Sequence, residues 1–141
     1  MAEIRQLRTF SIGKARNLWR TAQVAMRDAR APAQYISAGR RFDAAYDAGL
    51  SCALLLAECE KVDITGAGHH VETPKRMSHT LALKGQTAEV IPAMIQARNA
   101  ARYDAEPVAN EAVVEAAIEW ADRILAETEG WLQQHQPNAL K

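Results

Sequence analysis

The sequence predicts an all-α protein: an up-and-down bundle of four major helices, with a further short helix in a connecting loop. Three observations point there. Alanine is abundant, while only two Phe and three Tyr are present, so the strong helix former dominates and the aromatics that strands prefer are scarce. Apolar residues recur at three- and four-residue steps over long stretches. The joints between those stretches are mostly short, as antiparallel neighbours require. A chain of 141 residues is the size of a single domain and can bury one core without disulfides or metals.

The first helical stretch is expected from Ala2 to Asp28, with a break near Ser11 to Gly13. There Ser11 is placed to cap a helix starting at Ile12, and Leu18, Ala22, Ala25 and Met26 then keep the helical period beside Trp19. Pro32 closes this element, because it lacks the amide hydrogen that a continuing helix uses. The second helix starts after Ser37 and runs to about Lys61. Phe42, Ala45, Gly49, Cys52, Leu56 and Cys59 form its apolar line, and Tyr46, Leu50, Ala53 and Leu54 widen it. Gly49 is the one position on that line without a side chain, so a neighbouring helix is expected to come close there.

Asp63 to Glu72 reads as a loop made flexible by Gly66 and Gly68. Thr73 then caps a short helix over 74–83, with Pro74 at its first position and Gly85 after its end. The third major helix spans about Thr87 to Tyr103, with an irregular turn at Pro92. The last runs from about Asn110 to Gln134 on a face of Val114, Ala117, Ala121, Ile124 and Trp131, thickened by Ile118, Leu125 and Leu132. Residues 136–141 are expected to fray, and the whole chain, 1–141, is read as a single domain.

Several function classes lose support at this level. The longest apolar run, Cys52 to Ala57, is far too short to cross a bilayer, and Met1 to Arg8 has no signal-like apolar core, so a cytoplasmic protein without membrane contact is expected. Cys52 and Cys59 lie on one helix roughly 10 Å apart, beyond disulfide reach, and read as small buried hydrophobes. No phosphate-binding loop, dinucleotide fingerprint, zinc-protease pair or nucleophile elbow is present, and neither a metal nor a cofactor is expected.

Charge is even overall but uneven along the chain. Residues 1–41 carry nine Arg or Lys against Glu3 and Asp28, and the remainder carries eight basic and fifteen acidic residues. Two explanations compete: the basic segment faces a phosphate backbone or other anionic partner, or it lies against the acidic last helix, within the chain or across a dimer.

Three polar clusters are candidates for chemistry. Arg98, Asn99, Tyr103 and Asp104 end the third major helix, where Arg98 falls at a position of partial burial and needs partners for its planar guanidinium. Arg40, Arg41, Asp43, Tyr46 and Asp47 share the start of the second helix, where the spacing of Arg40, Asp43 and Asp47 also suits ordinary surface ion pairing. His69 and His70 sit on the glycine-rich loop near Glu72 and His79, and histidine carries protons near neutral pH.

Arg98-Asn99 followed by Tyr103-Asp104, the segment Arg41-Phe42-Asp43-Ala44-Ala45-Tyr46 and the Gly68-His69-His70 loop together resemble the HEPN superfamily over about Ser37 to Leu132. The resemblance implies a small dimeric helical bundle of toxin-antitoxin or defence systems, often working beside a nucleotidyltransferase. Its ribonucleases use an Arg and, after four to six intervening residues, a His, paired across a dimer. Arg98 matches that Arg and Asn99 its polar neighbour, but Tyr103 stands in the histidine's place, and a phenol with a pKa near 10 is a poor proton carrier at neutral pH.

The expectation is therefore a non-catalytic or weakly catalytic homodimeric module that binds RNA or a nucleotide. Arg98, Asn99, Tyr103, Asp104, Tyr46, Asp43 and Arg41 would contact or position the ligand. One alternative is a metal-independent endoribonuclease using Arg98 with His69 or His70. Another is a protein-binding antitoxin or adaptor, partner to a nucleotidyltransferase or nuclease, that docks through its basic first helix.

Overall fold

A computed structural model describes residues 2–7, 9–32, 34–66, 68–83, 85, 93–96, 98 and 111–141, with the side chains of His69 and His70 left out. The protein is mostly helical, with one small antiparallel sheet. In chain order the elements are β1 (Ala2–Gln6), α1 (Ile12–Ala29), α2 (Ala38–Cys59), β2 (Val62–Gly66), α3 (His69–Thr80), α4 (Glu111–His135) and a 3-10 turn over Pro137–Leu140.

Helix α2 is the centre and packs against α1, α3 and α4. Its buried line of Phe42, Ala45, Cys52, Leu55 and Leu56 meets Ala15, Trp19, Ala22, Met26 and Ala29 of α1. Those α1 residues alternate four- and three-residue steps, which puts them on one stripe. Helix α4 contributes Val114, Ala117, Ala121, Ile124 and Leu132, all fully enclosed. Leu54, expected in the α2 stripe, lies on the solvent side instead.

Two of the three expected caps are in place. Ser11 accepts a hydrogen bond from the Lys14 amide at 3.2 Å, and Ser37 accepts one from the Arg40 amide at 3.4 Å. Helix α1 has no acidic residue in its first turn, and α2 supplies the missing charge. The buried Glu58 carboxylate accepts the Ser11 amide at 3.0 Å and lies 3.7 Å from Lys14 Nζ, where a negative group opposes the positive end of the helix dipole.

The sheet departs from the all-α expectation. Ala2–Gln6 is a strand, not the start of a helix, and it pairs with β2 in antiparallel register from Ala2↔Gly66 to Gln6↔Val62. The loop expected at Asp63 to Glu72 instead holds β2 and the start of α3. Glu3, Ile4, Arg5 and Gln6 offer no helical apolar line, whereas Val62, Ile64 and Thr65 are β-branched and suit a pleated surface. Lys61 turns the chain from α2 into β2 with a left-handed φ of 58°, and its carbonyl accepts the Leu7 amide at 2.7 Å.

Helix α3 begins at His69 behind Gly68, whose φ of 81° suits glycine. Pro74 and Thr73 therefore lie inside the helix and not at its first position and cap, with Thr73 buried. The helix ends at Thr80 and closes by a 2.9 Å bond from the Leu83 amide to the Ser78 carbonyl around a left-handed Ala82, before Gly85 is reached. Of the third major helix expected over Thr87 to Tyr103, residues 93–96 and 98 are helical; the rest, Pro92 included, lies outside the described residues.

Helix α4 starts one residue after the expected Asn110 and ends one after Gln134. The tail expected to fray is packed: Ala139 is buried, Leu140 lies against the core, and Arg16 Nε of α1 donates to the Asn138 carbonyl at 2.9 Å. Among the described residues no helix is long and apolar enough to cross a membrane.

Candidate functional site

Arg98 is the convergence point of the expected cluster. Its guanidinium carbon lies 4.4 Å from the centroid of the Tyr46 ring, and its Nη2 is 3.3 Å from an Asp47 carboxylate oxygen. Tyr46 and Asp47 are consecutive on α2, about 100° apart around the helix. One guanidinium therefore spans both, its carbon over the ring and its Nη2 at the carboxylate. The Arg98 side chain is 15% exposed, and its Nε is buried without a hydrogen-bond partner.

Such a contact combines a cation over an aromatic face with a charge pair whose carboxylate is half solvated. The first is worth roughly 0.5–2 kcal/mol depending on desolvation, and the second is weakened by water around Asp47. A guanidinium carries five N–H donors. The contact to Asp47 engages Nη2 and leaves Nε without a partner.

Beneath this contact, Tyr46 also lines an apolar pocket with Gly49, Leu50, Pro74, Met77, Met94 and Trp120. The expected close approach at Gly49 is made by Trp120: a Cβ there would fall 2.5 Å from its Cη2 and Cζ3. The Trp120 Nε1–H is buried and unpaired. Helices α2 and α4 thus fix the ring on which Arg98 rests.

The other expected site residues are distributed differently. Asp43 is half-buried on α2, and the carboxylate that meets Arg98 is Asp47, one turn further on. Arg41 is a strut. Its Nε donates to the Ala29 carbonyl at 3.2 Å, where α1 ends, and its Nη1 lies 2.8 Å from a Glu111 carboxylate oxygen at the start of α4. Asn99, Tyr103 and Asp104 lie outside the described residues. His69 and His70 form the first turn of α3, not a loop, and His79, at the far end of that helix, is exposed.

Several basic residues of the first segment are engaged inside the fold. Arg30 pairs with Asp122 and Arg41 with Glu111 of α4, while Lys14 pairs with Glu58 of α2. Arg20 and Arg27 remain exposed. Among the described residues no group of His, Cys, Asp and Glu is arranged to hold a metal ion. Burial pushes the Cys52 thiol up to about 12, and burial with the neighbouring Glu58 and Glu60 raises Cys59 to about 12 as well. Both thiols therefore stay protonated and unreactive near neutral pH.

Sequence reasoning singled out Arg98 and Tyr46 but missed Trp120 and Glu58. Trp120 carried a usable signal, since it lies three residues after Ala117 and four before Ile124 on the apolar face of α4. Comparison with known protein families, curated proteins and solved structures gives no match for this chain. The functional argument accordingly rests on the residues and their geometry.

Proposed function

We propose that the chain is a HEPN-like helical module, folded as an up-and-down bundle and acting as a homodimer in the cytoplasm, that binds RNA or a nucleotide and cuts RNA weakly or not at all. In this reading it is an accessory subunit of a toxin-antitoxin or defence system and works with a nucleotidyltransferase or nuclease. The observation that carries the reading is Arg98, seated over Tyr46 with its Nε unpaired. A phosphate would compete with Asp47 for the Nη edge, through charge-assisted hydrogen bonds about twice as strong as neutral ones. The outer face of the guanidinium would stack on a base, with Asn99 and Tyr103 supplying further polar and aromatic contact.

Cleavage of RNA without metal needs one group to take a proton from the 2′-hydroxyl and another to protonate the leaving oxygen. Arg98 stabilises phosphate charge but does neither at neutral pH. Binding is therefore the leading activity.

Fluorescence anisotropy with a labelled single-stranded RNA and with adenosine monophosphate tests this. Arg98→Ala is expected to weaken binding of at least one of them by roughly tenfold or more, the scale of one charge-assisted contact, with the helical circular dichroism unchanged. Equal affinity for the wild type and Arg98→Ala would remove Arg98 from the site. RNA cleavage in a chelator, abolished by Arg98→Ala and by His70→Ala, would replace binding with catalysis. Capture of a protein partner that is lost only on charge reversal of Arg16 and Arg20 would move the function to α1.

A further inference from the structure

We infer that the free edge of β1 pairs with the same edge of a second copy of this chain, joining two small sheets into one four-stranded antiparallel sheet. The inference does not depend on what Arg98 binds.

The register fixes which groups face outward. In an antiparallel pair, opposed residues alternate between those that exchange main-chain hydrogen bonds and those that do not. The Leu7 amide donates to the Lys61 carbonyl at 2.7 Å, and Leu7 continues the register that pairs Gln6 with Val62 and Arg5 with Asp63. Arg5 and Glu3 therefore share the bonded phase with Leu7 and point their amides and carbonyls at β2. Ala2, Ile4 and Gln6 point theirs away from β2, along an edge that no other described strand covers. Glu3, Ile4, Arg5 and Gln6 are all exposed, Ile4 by 56%.

That edge is complementary to itself. Antiparallel pairing of two copies centred on Ile4 sets Ile4 opposite the other copy's Ile4, and Ala2 opposite its Gln6, in the positions that exchange hydrogen bonds. The same pairing sets Glu3 opposite the other copy's Arg5, twice by symmetry, in the phase where side chains approach most closely. The Arg5 side chain is 73% exposed and held only by a long, 3.9 Å ion pair to Asp63, so it can reach the other copy's Glu3. Ile64, directly across from Ile4 within one copy, extends the row so that four isoleucines cross the joined sheet on one face. A twofold axis through Ile4 makes the contact isologous and closed, so it stops at two copies. Unpaired edges of this kind are otherwise blunted by proline, lysine or a covering element, and Ala2–Gln6 contains neither residue.

A five-residue edge buries less than the roughly 1,200–2,000 Å² of a standard stable interface, so the pairing is concentration-dependent. Sedimentation equilibrium up to about 1 mM, combined with amide hydrogen exchange by NMR, tests it. The expected result is a monomer–dimer equilibrium in which the Ile4 and Gln6 amides gain protection as concentration rises, while the Glu3 and Arg5 amides are protected throughout. Ile4→Pro removes an amide that the monomer does not use, a placement that strand edges tolerate, and should leave a monomer. Glu3→Arg and Arg5→Glu each set like charges opposite one another and should each weaken self-association roughly tenfold. An equimolar mixture of those two variants restores both pairs and should associate as the wild type does. A monomer at every concentration, a dimer whose Ile4 and Gln6 amides stay unprotected, or charge variants that associate like the wild type would each overturn the inference.

Discussion

Arg41 and Arg98 both bring a guanidinium into the protein against α2, yet they are used in different ways. Arg41 is 8% exposed and spends its donors internally, tying the last carbonyl of α1 to the first residue of α4. Arg98 is nearly as enclosed, but it sits over an aromatic ring, touches one carboxylate and keeps its Nε unpaired. Burial of an arginine is thus no mark of function by itself. What separates a strut from a candidate site is the hydrogen-bonding capacity left over once the fold has taken its share.

That contrast can be broken experimentally, and the largest effect should come from the strut. Arg41→Met keeps the stem but strands the Ala29 carbonyl, Glu111 being left to water, and should lower stability by about 2–3 kcal/mol, read from the urea midpoint, with ligand affinity unchanged. An equal loss of affinity would mean that Arg41 contacts ligand after all. Gly49→Ala should cost about 1–3 kcal/mol, because Trp120 has to move away from the new methyl group. It should also loosen Arg98 through Tyr46, so affinity falls along with stability; a change in neither would show that the seat is not rigid.

Arg98→Ala should cost only about 1 kcal/mol of stability, since Asp47 is left solvated, while abolishing most anion affinity. The smallest effect is expected from Asp47→Asn. Removing the carboxylate that competes for Nη2 should tighten anion binding by roughly two- to fivefold, the scale of a part-exposed ion pair. Weaker binding would give Asp47 a direct role in holding the ligand.

Features set by neighbouring residues were legible in the sequence. Ser11 and Ser37 cap the helices they precede, Pro32 falls after α1, and Gly49 sits where Trp120 packs, because each depends on a local backbone preference or on helical period. Features that need a distant partner were not. Ala2–Gln6 becomes a strand only through residues 62–66, and the 3-10 turn at Pro137–Leu140 is held by Arg16 and the core. The site divides along the same line. Partial burial of Arg98 and a place for Tyr46 near the apolar stripe followed from periodicity, but Asp43 and Asp47 flank Tyr46 on neighbouring turns. Only the direction of approach of Arg98 selects Asp47.

The most direct test of the account is an NMR titration of the protein with adenosine monophosphate, following the Arg98 side-chain Nε–H and the Tyr46 ring. Saturable shifts of both signals, larger than those of Arg16, Arg20 and Arg41, are the predicted result. Shifts confined to the α1 arginines, or none at Arg98 and Tyr46 while the nucleotide binds, would contradict it.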